Sequence, residues 1–297
     1  MGHGSYTSAD WTRLKTSKKI TKKSDENNIF EKSSMDPKFD PKFIAMRESR
    51  DSEDHPDSTP VILGLDVTGS MGYLASQIAK EGLHETMMKL FSTKPINDPQ
   101  IMFSAIGDVV DSAPLQVTQF ESDIRIAKQL LELWLEGKGG DGPEDYPLLW
   151  YFAAKHTSTD RYEKRGKKGY LFTIGDADSH ESINSSDIKK IFGDDGADIS
   201  TQEAARLAGE KYELFHINII GSSNWIPPVL GRAIPGRIMC IPKNNIDVLP
   251  ELIVSTLMLY GGKSMDEVIG NWPEQAGNIV RECLKTLVVS TNNGVEF

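Results

Sequence analysis

Val61-Ile-Leu-Gly-Leu65, followed by Asp66-Val-Thr-Gly-Ser70-Met-Gly72, is the stretch on which the fold of this chain turns. Five residues without polar alternation match a strand covered on both faces, as strands of parallel sheets are. The polar turn after it leads into residues 70–91, whose apolar spacing predicts a helix. A buried strand feeding a helix is the unit of a parallel sheet, and it recurs downstream. Further strands are predicted over 101–106, 115–120, 170–174, 215–220 and 238–241. Helices are predicted over 124–135, 143–156, 186–192, 201–214, 248–260 and 265–289. The alternation implies a three-layer α/β/α, Rossmann-like fold with a mostly parallel six-stranded sheet.

Upstream the chain changes character. Residues 1–58 carry a basic cluster (Arg13, Lys15, Lys18, Lys19, Lys22, Lys23) and the tandem Asp36-Pro-Lys-Phe-Asp40-Pro-Lys-Phe43. Apolar periodicity is sparse, so a flexible, largely extended arm is expected, with one short helix from Ala9 capped at Ser8. The division is therefore an arm over 1–58, an α/β domain over 59–262 and a helical extension over 263–297.

The chain is 38% hydrophobic with a formal charge of -10, which fits a globular core and argues against a nucleic-acid binder. Its two cysteines, Cys240 and Cys283, read as buried free thiols rather than a disulfide framework. The polar opening predicts no signal peptide, Tyr6 breaks the myristoylation pattern, and no apolar run reaches the roughly 18 residues of a membrane span. A cytoplasmic protein in a reducing compartment is expected.

In parallel sheets, ligands bind beyond the carboxyl ends of the strands. Three polar segments fall at such positions. Asp66, Thr68 and Ser70 are spaced i, i+2, i+4 across the strand-to-helix turn, which lets one carboxylate and two hydroxyls converge. In Gly137-Lys-Gly-Gly-Asp141-Gly-Pro-Glu144-Asp145, Pro143 fits the first turn of a helix, and Glu144 and Asp145 favour its positive end. Asp141 has no such structural role and is free to face a cation. After the strand at 170–174, Asp176 emerges at the strand end and is chosen over Asp178. Asp108 ends another strand on the same face and, with Glu144, is expected to support the ligands from behind. Hard oxygen donors of this kind suit Mg²⁺, or else Mn²⁺ or Ca²⁺.

Asp66-x-Thr68-x-Ser70 resembles the Asp-x-Ser/Thr-x-Ser motif of von Willebrand factor A domains, whose metal-ion-dependent adhesion site adds a threonine from a later loop and an aspartate after a further strand. The three segments follow that order. Asp141 stands where the family has threonine, in a Gly-Gly-Asp-x-Pro-Glu loop similar to that of some intracellular prokaryote and phage members. The resemblance implies a metal set of Asp66, Thr68, Ser70, Asp141 and Asp176, and a metal-dependent protein-interaction module in a larger intracellular assembly. It also implies protein partners, docking through a carboxylate at the metal or through the N-terminal arm, with an AAA+ ATPase among the candidates. The alternatives are a metal-dependent hydrolase or phosphatase and a structural subunit of a phage or bacterial assembly. Catalysis would need a base for Ser70, and His180 is the nearby candidate; no catalytic residue is assigned. Trp225-Ile-Pro-Pro-Val-Leu230, apolar within a loop, reads as a cover for the sheet's end or a contact patch.

Overall fold

The apolar runs pair into one six-stranded sheet of β1 (Thr59–Asp66), β2 (Pro99–Ile106), β3 (Leu115–Val117), β4 (Gly169–Gly175), β5 (Tyr212–Ile220) and β6 (Ile238–Pro242). Their order across the sheet is β6-β5-β4-β1-β2-β3. Every neighbouring pair is parallel except β2 with β3, which is antiparallel at the sheet's edge. The computed structural model describes residues 4–21, 24, 29–30, 32–69, 71–137, 142–221 and 225–288.

Successive strand residues serve opposite faces. Val61, Leu63 and Leu65 of β1, with Phe172 and Ile174 of β4, pack under helices Leu83–Thr93, Leu249–Tyr260 and Glu274–Leu284. Ile62 and Leu171 face the other way, against helices Tyr146–Lys155, Ser185–Phe192 and Thr201–Lys211. This is the three-layer arrangement expected from the strand–helix alternation. Gly64 sets the spacing of one layer: a Cβ there would lie 2.2 Å from Leu149 Cδ2, so the absent side chain lets helix Tyr146–Lys155 lie flat on β1.

Several elements differ from their sequence-based bounds. The helix expected over 70–91 runs as Gly72–Gln77, a π turn Ile78–Gly82 and Leu83–Thr93. The helix expected over 124–135 is only Arg125–Leu130. Its continuation leaves the helix because the buried Gln116 amide takes over the backbone of Trp134, donating to its carbonyl (2.7 Å) and accepting from its N–H (3.0 Å). The C-terminal stretch divides into Met265–Ile269 and Glu274–Leu284, the first opened by a Ser264/Glu267 capping box.

The arm is folded onto the domain over its described residues, which differs from the extended arm expected. Helix Ser8–Ser17 is capped by Thr7, not Ser8, and buries Trp11 and Leu14. Trp11 stacks on His84 with ring centroids 5.8 Å apart, and Lys15 faces Glu81 at 3.9 Å. The Asp-Pro-Lys-Phe repeats make two single 3₁₀ turns in which Asp36 and Asp40 accept from the Lys38 and Lys42 N–H groups. Residues Arg47–Ser49 then pair in parallel with Thr157–Thr159. Apolar anchors spaced this irregularly leave no period to read, which is why the sequence concealed them.

Candidate metal centre

The chain starts at the sheet's middle with β1, fills one side with β2 and β3, and then crosses to the other side at β4. That reversal makes the crevice above the carboxyl ends of β1 and β4 the place where an open parallel sheet accepts a ligand. Asp66 is the last residue of β1, and Asp176 directly follows the last residue of β4. Leu65 pairs with Ile174, so the two strands end level. The topology brings these two aspartates together.

Asp66 is fully buried. Its Oδ1 accepts from the Thr68 N–H (2.9 Å) and the Thr68 hydroxyl (2.6 Å), and its Oδ2 accepts from the Tyr146 hydroxyl at 3.3 Å. Burial pushes the Asp66 carboxyl above its ordinary range, the Thr68 hydrogen bonds oppose this, and the charge of Asp176 adds to the rise. Gly175 makes the approach feasible, since a Cβ there would sit 1.9 Å from Tyr146 Oη and 2.9 Å from Asp66 Oδ2. Behind Tyr146 lies His216, fully buried and edge-on to the Tyr146 ring at 4.8 Å. Its Nδ1 bonds the Thr173 hydroxyl at 2.9 Å, and burial pushes its pKa down to about 3.

Glu144 is where the sequence reading needs correction. The helix expected from residue 143 begins at Tyr146, with Pro147 rather than Pro143 in its first turn. Glu144 therefore lies ahead of the helix. Its backbone N–H donates to the Asp178 carbonyl (2.8 Å) and its carbonyl accepts from the His180 N–H (3.2 Å), a bridge that docks this loop on the one after β4. The side chain then turns inward, with Oε1 3.0 Å from the Thr68 hydroxyl. The contact is with the Thr68 side chain of the Asp66 turn, the place where a supporting carboxylate is expected. The Thr68 hydroxyl has one hydrogen and two carboxylate oxygens within reach, so it serves one acid at a time, while Asp66 also keeps the Thr68 N–H and the Tyr146 hydroxyl. Glu144 Oε2 is buried and has no hydrogen-bond partner among the described residues. Burial, and then the Asp66 charge, push the Glu144 carboxyl upward. Tyr73 adds a second such atom: its hydroxyl is buried and has no hydrogen-bond partner among the described residues, and burial with the charges of Asp176 and Asp66 raises it to about 12.

Of the remaining site residues, Ser70 and Asp141 lie outside the described residues. Asp178 accepts from the Val229 and Leu230 N–H groups at 3.1 and 3.3 Å, at the start of helix Pro228–Ala233. That structural task accounts for its position. The same helix buries Val229 and Leu230 while leaving Trp225 and Ile226 exposed, so the loop both covers the sheet's end and presents an apolar edge. Asp108 joins Asp145 and His180, with one ligand atom of each within 4.8 Å of the others. Asp145 stands at the helix end where the sequence places it, and its grouping with Asp108 and His180 comes from the folding of three loops.

Hard oxygen donors, one orphaned carboxylate oxygen and no lysine or arginine ion pair to Asp66 or Glu144 among the described residues are what a divalent cation would answer. No protein-family model matches the chain, and no curated protein matches it. Among solved structures it is similar to the pilus adhesin SpaC from Lactobacillus rhamnosus GG in an open conformation, at 9% identity and TM-score 0.47, over 71% of this chain and 31% of that one. It is similar to proximal thread matrix protein 1 of the mussel byssus with a zinc-occupied MIDAS motif, at 13% identity and TM-score 0.42, over 72% of this chain and 49% of that one. A von Willebrand factor type A structure from Catenulispora acidiphila matches at 14% identity and TM-score 0.37, over 79% of this chain and 52% of that one. The chain thus spans about a third of the adhesin and about half of the other two.

Proposed function

We propose that this chain is a cation-dependent protein-interaction module of the von Willebrand factor A type. Asp66, Thr68, Ser70, Asp141 and Asp176 would hold Mg²⁺, and Glu144 joins them as a carboxylate in direct reach. The carrying observation is the convergence of Asp66, Thr68 and Glu144 at the switch point, with Glu144 Oε2 buried and without a hydrogen-bond partner among the described residues. Bound there, the cation would supply the positive charge that lets the buried carboxylates stay ionised, and would leave a coordination position for water or a partner's oxygen. The chain's own residues do the rest. Tyr146 and Thr68 orient Asp66, and the backbone bridge from Glu144 to the Asp178–His180 loop holds the rim. The exposed Trp225 and Ile226 give a partner apolar area on the neighbouring loop.

The partner is a protein inside the cell, engaged within a larger assembly, with an AAA+ ATPase as one candidate. His180, the base considered for a Ser70 nucleophile, gathers instead with Asp108 and Asp145, which favours the non-catalytic reading. Pull-down of the full chain from lysate in Mg²⁺ or EDTA, compared with Asp66→Asn, tests the proposal. Partners retained in Mg²⁺ and lost in both EDTA and the variant are expected. Identical partner sets under all three conditions would overturn it.

A further inference from the structure

Beside the Asp66 turn, on the same carboxyl edge of the sheet, a second group of side chains converges. Asp108 follows β2, Asp145 precedes helix Tyr146–Lys155, and His180 lies in the loop after β4, with ligand atoms mutually within 4.8 Å. Donors sharing one ion at about 2.1 Å stand roughly 3.4 Å apart in a tetrahedron, so small side-chain rotations close the set.

Each aspartate spends one oxygen on the loop backbone, which leaves the other oxygen of each to be explained. Asp145 occupies the N-cap position yet makes no capping hydrogen bond; its Oδ2 accepts instead from the Val109 N–H at 2.8 Å. Asp108 and Asp145 are each only 2% exposed, and neither pairs with a lysine or arginine among the described residues. Lys190 reaches the same loop but donates to the Val109 carbonyl at 2.8 Å. The charge of the His180 imidazole offsets part of the cost of two buried carboxylates side by side, and a bound cation would offset more of it.

A further atom points the same way. The Glu144 carboxyl is close enough to Asp66, Asp108 and Asp145 for the charge of each to raise it. Its Oε1 is engaged by Thr68, while its Oε2 is buried, more than nine-tenths of the residue being covered, and has no partner among the described residues. The frame is rigid, because the His180 N–H donates to the Glu144 carbonyl and the Val110 N–H to Asp108 Oδ1 at 3.0 Å.

We propose that Asp108, Asp145 and His180 form a second cation site, separate from the Asp66 turn and suited to a borderline divalent ion of the zinc class. The imidazole nitrogen distinguishes it from the all-oxygen set beside it, since nitrogen donors favour such ions over Mg²⁺. The site ties together the loop after β2, the entry to helix Tyr146–Lys155 and the loop after β4. Its three donors differ from those of the Asp66 turn, with Glu144 bordering both.

The test is Zn²⁺ stoichiometry by calorimetry on the metal-free full chain and on Asp66→Asn, His180→Asn and Asp108→Asn. Two equivalents are expected for the native chain. His180→Asn and Asp108→Asn should each lose one, or weaken it at least tenfold, while Asp66→Asn loses the other. Unchanged binding in His180→Asn overturns the proposal whatever Asp66→Asn does, as does a single equivalent that only Asp66→Asn removes. Loss in His180→Asn with no change in Asp66→Asn upholds this site and sinks the Asp66 reading. If Asp108→Asn does not fold, the half-buried His180 decides alone.

Discussion

Asp66 and Glu144 are both held above the ordinary carboxylate range, mainly by burial. An acid whose folded pKa is raised contributes stability below its unfolded pKa and loses it as pH rises through the folded value. In EDTA the melting temperature should therefore fall as pH climbs from about 4 through the raised values, and Mg²⁺ should flatten that fall. Glu144→Gln removes one charge while keeping an oxygen for Thr68, so it should raise the cation-free melting temperature at pH 8 by several degrees, about 2–4 °C per kcal/mol for a chain of this size. A lower melting temperature for Glu144→Gln in EDTA would contradict the account. His216 works in the opposite direction. Its pKa is pushed down to about 3, so its neutral form is kept in the fold while the unfolded imidazole takes a proton below about 6.5. Stability should fall as pH drops from about 6.5 toward 3, and His216→Phe should lessen that slope in a urea titration. An unchanged slope would deny the buried imidazole its part. Asp66, Thr68 and Asp176 were legible because one motif and one strand end placed them. Glu144 was legible as a supporting carboxylate but not in its place ahead of the helix, because Pro143 imitates a helix start that Pro147 in fact supplies.

At the scale of elements, the close approach of helix Tyr146–Lys155 to β4 depends on Gly175. Gly175→Ala puts a methyl 1.9 Å from Tyr146 Oη, and overpacking of this kind costs about 1–3 kcal/mol. It should also weaken Mg²⁺ binding, because Tyr146 steadies Asp66. A variant that melts and binds as the native chain does would refute the packing argument. The arm is held by a few anchors rather than by a continuous face. Trp11 is 5% exposed against His84, so Trp11→Ala should destabilise by about 3 kcal/mol and make the arm an early site of limited proteolysis. Protection equal to that of the native chain would show that the helix Ser8–Ser17 contributes little. The strands were readable from continuous apolar runs, and the helix Leu249–Tyr260 from its density of apolar residues. The arm was not, since single aromatic anchors in a polar segment carry no period.

For the whole molecule, the strand order determines where function sits. The reversal between β1 and β4 opens one crevice, and the acidic side chains at the strand ends gather there. The alternation of strands and helices made the three layers legible in the sequence. It did not reveal the grouping of Asp108, Asp145 and His180, since their meeting depends on how three loops fold over the sheet's edge. The central claim is that Asp66 and its neighbours form a built cation site. Thermal unfolding of the native chain and of Asp66→Asn, each in EDTA and in saturating Mg²⁺, tests it most directly. Saturation at about 100 times Kd stabilises by about 2.7 kcal/mol, so the native melting temperature should rise by several degrees. Asp66→Asn, which keeps the oxygen that accepts from Thr68 but removes the buried charge, should start higher in EDTA and show no Mg²⁺ response. Equal Mg²⁺ responses in the two proteins, or none in the native chain, would contradict the claim.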